Sequence, residues 1–394
     1  MLLEARSRGV QDPKITDWKD TGLFEACTKI QIIERSYVKE IHRRKKYKLD
    51  PTRLPDSEKE VIVTAFAEPE LLPGMNYTTE FVASVVSDKY ISHVPLERQA
   101  REMESLGLLG MQNSTLSRLS GLAAASLEPL QEKILEELKQ SDLALHLDET
   151  PWKIQKKDEK DGYLWVISNR YGSYYFFKPT RSAKVITEKL KGYTGPAVTD
   201  GWNSYVEVLV EAGIAQSFCW AHARREFLPL EGHDPTIKPI LDEIDKLFAI
   251  ERKAKSFEEL KDLREKESRP VVEKIRSLLR SEFPKSREGS HKRKAILYLE
   301  TRWDGFTKFL TDTKVPLSNN EAERTIRHAV VGRKNYYGSG NHIGAETAAT
   351  LFTVIETCKK NDLDPRSYLL HALKTLTKGE MPLTPLQTAK RRSQ

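Results

Sequence analysis

An α/β fold is predicted for this chain: a mixed-sheet core carrying a helical insertion, preceded by a helical region and a small β-containing N-terminal segment. Three observations predict it. The hydrophobic period changes from helical to alternating at Leu143. Short apolar runs then alternate with short helical patterns as far as residue 223. A long, charged, helical stretch separates this part from a last set of helices that begins at Ser318.

The 394 residues allow one large domain with appendages, or two to three domains. Hydrophobic content of 39% and charged content of 31% fit a globular protein with a strongly polar surface. A net charge of +7, despite 57 acidic residues, points to a polyanionic partner. No apolar stretch approaches the roughly 18 residues that span a bilayer, and MLLEARSRGVQD lacks the apolar core of a signal peptide. No membrane partner is expected, and a reducing cytoplasm is the expected location. Cys27, Cys219 and Cys358 lie far apart without a C-x-x-C. Neither a disulfide framework nor a zinc site is therefore expected.

In chain order, residues 1–75 are the least regular. KIQIIERSYVKEIHRRKKYKL reads as a strand or hairpin ending in a basic run, in which Arg43, Arg44, Lys45 and Lys46 are candidates to follow a phosphate backbone. Pro51, Pro55, Pro69 and Pro73 punctuate a linker. Residues 76–140 are helical. FVASVVSDKYI has apolar residues at helical spacing, and PLERQAREMESLG starts on a tolerated proline and stops at Gly107. NSTLSRLSGLAAASLEPLQEKILEELKQ follows a short turn, giving a helix-turn-helix-like pair with Ser117, Arg118 and Ser120 expected on its exposed face.

Residues 141–223 carry the first part of the core. LALHLDE alternates, with Leu143, Leu145 and Leu147 on one face and His146 and Asp148 on the other. GYLWVISNR and SYYFFKPTR continue an antiparallel meander; SAKVITEKLKGY is a short helix; PAVTDGW is a buried strand ending at Asp200; WNSYVEVLVEAG is a helix and QSFCWAH a strand. The order strand, strand, strand, helix, strand, helix, strand is that of the ribonuclease-H-like fold, in which the first and fourth strands are neighbours. Residues 224–312 form an all-helical insertion, with Ser256 and Glu259 as a capping box. Residues 313–394 complete the core with a glutamate-bearing helix and closing helices.

Asp148 and Asp200 would thus meet at neighbouring strand ends. Two like charges at close range are costly unless cations lie between them. A third acid comes from SNNEAER. Ser318 and Glu321 fit a capping box, which gives Glu321 a structural task. The apolar stripe runs through Ala322, Ile326 and Ala329 or Val330, so Glu323 borders the sheet-facing side. Asp148, Asp200 and Glu323 are the candidate catalytic residues and ligands for two Mg2+ or Mn2+ ions, which hard oxygen donors favour. Glu149 points to the opposite side of its strand. Beyond the acids, CWAHARREF supplies Trp220, His222, Arg224 and Arg225 as aromatic and basic candidates for contact with a distorted or unpaired strand; Trp220 fits a core position equally, and a structural histidine is the alternative for His222. Arg327, one turn past Glu323, and Lys334, about three turns past it, are candidate phosphate contacts. The loop with Gly338, Gly340 and Gly344 is a weak nucleotide motif, because no Walker lysine follows.

These blocks together resemble the transposases of the insertion-sequence-66 family, a DDE (Asp-Asp-Glu) group. HLDETPWKI resembles the first-aspartate block and VTDGWNSY the second; CWAHARREF and SNNEAERTIRHAVVGRKNYYGSG resemble late blocks. PLERQAREMESLG and DLDPRSYLLHAL resemble flanking helices, so the resemblance covers roughly residues 75–375. It implies a ribonuclease-H-like nuclease with a helical insertion, and Glu323 as the last member of the triad. It implies double-stranded DNA (element ends and target) as partner, a homodimer on DNA, helper proteins of the same element, and a nucleoid-associated bacterial setting. The family's cysteine-rich zinc-ribbon segment has a degenerate counterpart here, since the stretch before residue 75 has no usable cysteine spacing. The chain also starts late relative to the family pattern, and Ser318 stands where the family often has aspartate. Metal-dependent cleavage at element ends followed by strand transfer is the implied reaction. A nuclease that cuts without joining, and a non-catalytic DNA-binding remnant, are the alternatives.

Overall fold

The computed structural model describes residues 35–50 and 61–392, together with Arg6, residues 8–11, Lys14 and Ile30. Cys27, most of the predicted strand over KIQIIER, and Pro51 and Pro55 lie outside the described residues. Residues 1–40 separate as one unit and 41–394 as a second. In the second unit the basic run leads into β1 (Lys46–Lys48), which pairs antiparallel with β2 (Ile62–Thr64). Arg43, Arg44, Lys45 and Lys46 are all exposed.

Three helices follow: α1 (Thr79–Tyr90), α2 (Leu96–Ser105) and α3 (Asn113–Lys139). Thr78 caps α1 by accepting from the Phe81 amide. At the start of α3, Ser117 and Arg118 are exposed as expected. Ser120 is not: it is buried, and its hydroxyl donates to the Leu116 carbonyl one turn back. Helical phase explains this, because Leu116, Leu119 and Ala123 form the buried stripe and Ser120 falls within it.

The sheet is built from β3 (Leu145–Trp152), β4 (Gly162–Asn169), β5 (Gly172–Lys178), β6 (Ala197–Thr199) and β7 (Gln216–Phe218), in the spatial order β5-β4-β3-β6-β7. The first three strands are an antiparallel meander; β6 joins β3 in parallel, and β7 joins β6 in parallel. The crossovers are α4 (Lys184–Lys189) and α5 (Asn203–Glu211). The first and fourth strands of the core are therefore neighbours. Alternation of side chains sorts the two faces: Ala197 joins one apolar cluster with Leu145 and Leu147, while Val198 joins another with Phe218 and Trp220.

The second cluster is the core of the helical region, comprising α6 (Trp220–Phe227), α7 (Lys238–Glu251), α8 (Phe257–Leu263), α9 (Arg269–Glu282), α10 (His291–Glu300) and α11 (Trp303–Thr307). Ser256 caps α8 by accepting from the Glu259 amide, and Glu259 in turn accepts from the Lys255 amide. Between α8 and α9 the helix widens into a π turn at Arg264–Ser268. Arg264 is buried there, forked onto Glu251 and donating to the Phe309 and Asp312 carbonyls. Four helices end the chain: α12 (Asn320–Tyr336), α13 (His342–Lys360), α14 (Pro365–Thr377) and α15 (Pro385–Arg392). Among the described residues no helix is long and apolar enough to cross a membrane.

Candidate active site

The carboxylates are positioned by two registers. The β3–β6 pairing sets Leu145 beside Ala197 and His146 beside Val198. Asp200 follows the last residue of β6, Thr199, so this register carries it toward Asp148, whose carboxyl feels its charge. The second register lies between β3 and α12. On one face of β3, His146 meets Asn319 at the start of α12, with Nδ1 and Oδ1 3.1 Å apart. Two residues on is Asp148, and two further is Thr150, which accepts a 2.9 Å bond from Arg333 in the last turns of α12. α12 therefore runs along the face that bears Asp148, and Glu323 lies in its first turn.

The electrostatics agree with that placement. Asp148 is half-buried by surface area, yet its carboxyl is pushed up to about 8, chiefly by burial and then by the charges of Glu149, Asp200 and Glu323. One carboxyl oxygen accepts the Glu149 amide at 2.8 Å; among the described residues it has no ion-pair partner. Asp200 likewise makes no ion pair among the described residues; it accepts the Trp202 amide at 2.9 Å. Its carbonyl takes a short hydrogen bond from Tyr298 of α10. Gly201, at φ +86°, turns the chain out of β6 in a conformation that L side chains rarely adopt.

Glu323 is occupied. Arg225 Nη2 donates to both of its oxygens, at 2.8 and 2.9 Å. His222 Nε2 is 3.5 Å away. Burial, and then Arg225, pull the imidazole below its ordinary range, so it is neutral at pH 7 and accepts from Arg225 Nη1. Among the described residues no group of three His, Cys, Asp or Glu side chains is gathered closely enough to hold a metal ion in this arrangement.

Glu149 turns away from the Asp148 face, as alternation requires. It accepts from Tyr205 Oη at 2.7 Å and from Arg181 at 2.9 Å. Glu321 differs from expectation. α12 is entered through Asn319 with no side-chain cap, so Ser318 caps nothing. Glu321 instead pairs with Lys360 on α13 and with Arg324. Trp220 is completely buried, and its indole N–H donates to the Phe306 carbonyl at 2.9 Å. It is a core residue, because Trp220, Ala223 and Phe227 make the buried stripe of α6. Arg327 and Lys334 are exposed on α12; Arg327 does not pair with Glu323. No hydrogen bond or ion pair joins Arg43, Arg44, Lys45 or Lys46 to the carboxylates. The glycine-rich loop is tied to the end of β3 by the Ile154–Ser339 bridge, with Gly338 packed against the Lys153 carbonyl.

Sequence reasoning missed Asn319. Its side-chain amide donates to the Leu147 carbonyl, its carbonyl oxygen accepts from His146, and its backbone N–H donates to Cys219 Sγ at 3.1 Å. Because Nδ2 is the donor, Oδ1 must accept, which places the imidazole proton on Nδ1. Burial pulls His146 down to about 4, consistent with a neutral ring. The doubled asparagine before the helix was the available signal.

Relatives among curated proteins come from Sinorhizobium fredii (strain NBRC 101917 / NGR234). Uncharacterized protein y4hP is 32% identical over 335 residues, which is 77% of this chain and 60% of that protein. Uncharacterized protein y4jD is 28% identical over 350 residues, 83% of this chain and 68% of that protein. Uncharacterized protein y4qI is 26% identical over 340 residues, 81% and 63% respectively. The chain thus spans about 60% of the length of the first of them. The Transposase IS66 family model matches residues 74–347, an interval that begins before α1 and runs past the whole of α12. With both aspartate segments and the glutamate helix inside the matched interval, which covers more than half of the residues, the chain belongs to the Transposase IS66 family.

Proposed function

We propose that this chain is a DDE transposase with a ribonuclease-H-like core, in which Asp148, Asp200 and Glu323 hold two divalent cations, Mg2+ or Mn2+. The observation that carries the reading is the state of Asp148: a crowded carboxyl that feels the charges of Glu149, Asp200 and Glu323 and, among the described residues, pairs with no cation. An all-oxygen donor set fits hard divalent ions. When bound, such ions activate water or a DNA 3′-hydroxyl and stabilise the leaving oxygen.

The chain's own residues do the remaining work. The sheet fixes Asp148 and Asp200, and Asn319 pins the start of α12, from which Glu323 projects. Arg225 occupies Glu323 in the free protein and becomes a phosphate ligand on DNA. Its transfer frees the carboxylate at the moment substrate arrives. Arg327 and Lys334 extend the basic track along α12, and exposed Arg43, Arg44, Lys45 and Lys46 add sequence-independent, salt-sensitive affinity. His222, neutral, contributes a hydrogen bond to DNA or water. Two ends must be brought together for joining, so a homodimer on DNA is expected. The domains proposed are residues 1–75, 76–140, 141–223, 224–312 and 313–394.

The test is Mg2+-dependent nicking of element-end DNA by the wild type and by Asp148→Asn. Loss in the variant is expected, and equal activity rejects the assignment. Products labelled at their 3′-ends separate joining from cutting alone. A second reading, a non-catalytic DNA-binding remnant, is favoured by the lack of a ready three-ligand group among the described residues. Calorimetry with Mn2+ in the presence of DNA decides: no heat that depends on the three acids would establish the remnant.

A further inference from the structure

An aromatic and basic site of a different composition lies beside Asp200. Trp202 follows it by two residues and is tied to it through its amide. The indole is half-buried; one edge is seated T-shaped on the buried Tyr205 ring, with centroids 5.6 Å apart. Over its face lies the Arg181 guanidinium, 4.3 Å from the ring centroid. The same guanidinium is 5.9 Å from the half-buried ring of Tyr163. Arg181 is half exposed and held by one oxygen of Glu149, whose other oxygen belongs to Tyr205. A cation thus already lies over this indole within cation–π range, and an aromatic face beside a basic side chain is the pairing on which unpaired bases stack.

We propose that the Trp202 face, flanked by Tyr163 and Arg181, is the stacking site for an unpaired base of the DNA strand whose phosphate lies at Asp148 and Asp200. This rests on the reading of those aspartates as the phosphodiester site. A paired base has both faces covered by its neighbours in the helix, so only a base out of the stack presents one to an indole. Arg181 either gives way to the base or closes over it as a third layer, its charge beside the flanking phosphate. Glu149 has the part of a tether: it holds Arg181 over the indole and takes no place among the metal ligands.

The experiment compares the full chain with Trp202→Leu and Trp202→Phe, both of which fill the apolar space while only the latter keeps an aromatic face. Fluorescence anisotropy is read in EDTA at one salt concentration, with an oligothymidylate of about 20 nucleotides and a duplex of equal length as probes. Trp202→Leu is expected to bind the single strand about 10-fold more weakly, with Trp202→Phe within about 3-fold of wild type and duplex binding unchanged in both. Equal single-strand affinity in the two variants, or a parallel loss on single strand and duplex, overturns the proposal. Binding in EDTA needs no metal. Failure of Mg2+-dependent nicking would therefore sink the nuclease reading while leaving the Leu–Phe difference in place.

Discussion

Asp148→Asn is expected to stabilise the metal-free protein at neutral pH, and the size of the effect follows from the carboxyl's surroundings. In the unfolded chain this group ionises near 3.8; in the fold, burial followed by Glu149, Asp200 and Glu323 moves it to about 8. As pH rises through 3.8 the unfolded state gives up its proton while the folded state keeps it. The aspartate therefore opposes folding increasingly between about pH 4 and 8, and by a constant amount above. At pH 7 roughly three units separate the two states, about 4 kcal/mol at 1.4 kcal/mol per unit. The residue is half-buried by surface area, so water reaching one side reduces this; about 1–3 kcal/mol is the expected range. Asparagine keeps the shape and the acceptor for the Glu149 amide but has no proton to lose. The assay is denaturant unfolding of both proteins in EDTA from pH 4 to 8, reading the difference so that other titrating groups cancel. The variant's advantage should grow with pH. Adding Mn2+ should then stabilise the wild type by mass action and the variant less. A pH-independent difference, or a variant weaker at every pH, would refute the account of Asp148 as a carboxyl that folding penalises.

Three other substitutions address the supports. Arg225→Ala removes the cation that occupies Glu323. The pair is half exposed, so Mn2+ affinity without DNA should rise only about threefold by calorimetry, while the slope of log K for DNA against log salt should fall by about one. Asn319→Ala leaves His146 Nδ1 and the Leu147 carbonyl without their partner in a buried setting, and should cost about 2–4 kcal/mol of stability in denaturant unfolding. Its nicking rate should fall more than its DNA affinity, because the start of α12 is what Asn319 holds. Arg264→Met strands the partly buried Glu251 and two carbonyls, and should cost about 3–5 kcal/mol while leaving DNA affinity unchanged in anisotropy.

The sheet was legible because a period of two is a local property. LALHLDE alternates strictly, PAVTD is a short apolar run bounded by glycine, and their parallel pairing follows from the helix between them. The position of Glu323 was legible for a similar reason: the Ala322–Ile326–Ala329 stripe fixes the phase of α12. Contacts between distant segments were not. Tyr298 reaches the Asp200 carbonyl across 98 positions of sequence, and Asn319 reaches Leu147 across 172. Neither contact leaves a mark within a window of a dozen residues. The arginines beside Trp220 leave its neighbourhood open between surface and core, although its spacing with Ala223 and Phe227 puts it on a buried stripe. The pattern S-x-x-E predicts a cap at Ser318. The Asn319 hydrogen bonds to β3 and Cys219 set the start of α12 instead, and Glu321 was drawn to Lys360.

The three acids are held with unequal stiffness, and that inequality has a physical origin. Asp148 lies within β3 between two paired strands, and Asp200 directly follows β6, itself paired on both sides. Glu323 projects from a helix pinned to the same sheet at both ends, through Asn319–His146 and Arg333–Thr150. Its backbone is thus tied to the sheet, while its side chain is held by an ion pair. That side chain is engaged by a guanidinium that is itself half exposed and borne on α6, a helix whose buried face belongs to the other apolar cluster. An anion brought to Arg225 competes with Glu323 for one cation, and a cation brought to Glu323 competes with Arg225 for one anion. By reciprocity each arrival favours the other, with no movement of the main chain required. On the proposed reading, in which Glu323 takes a divalent ion and Arg225 a phosphate, this one ion pair would couple the two binding events.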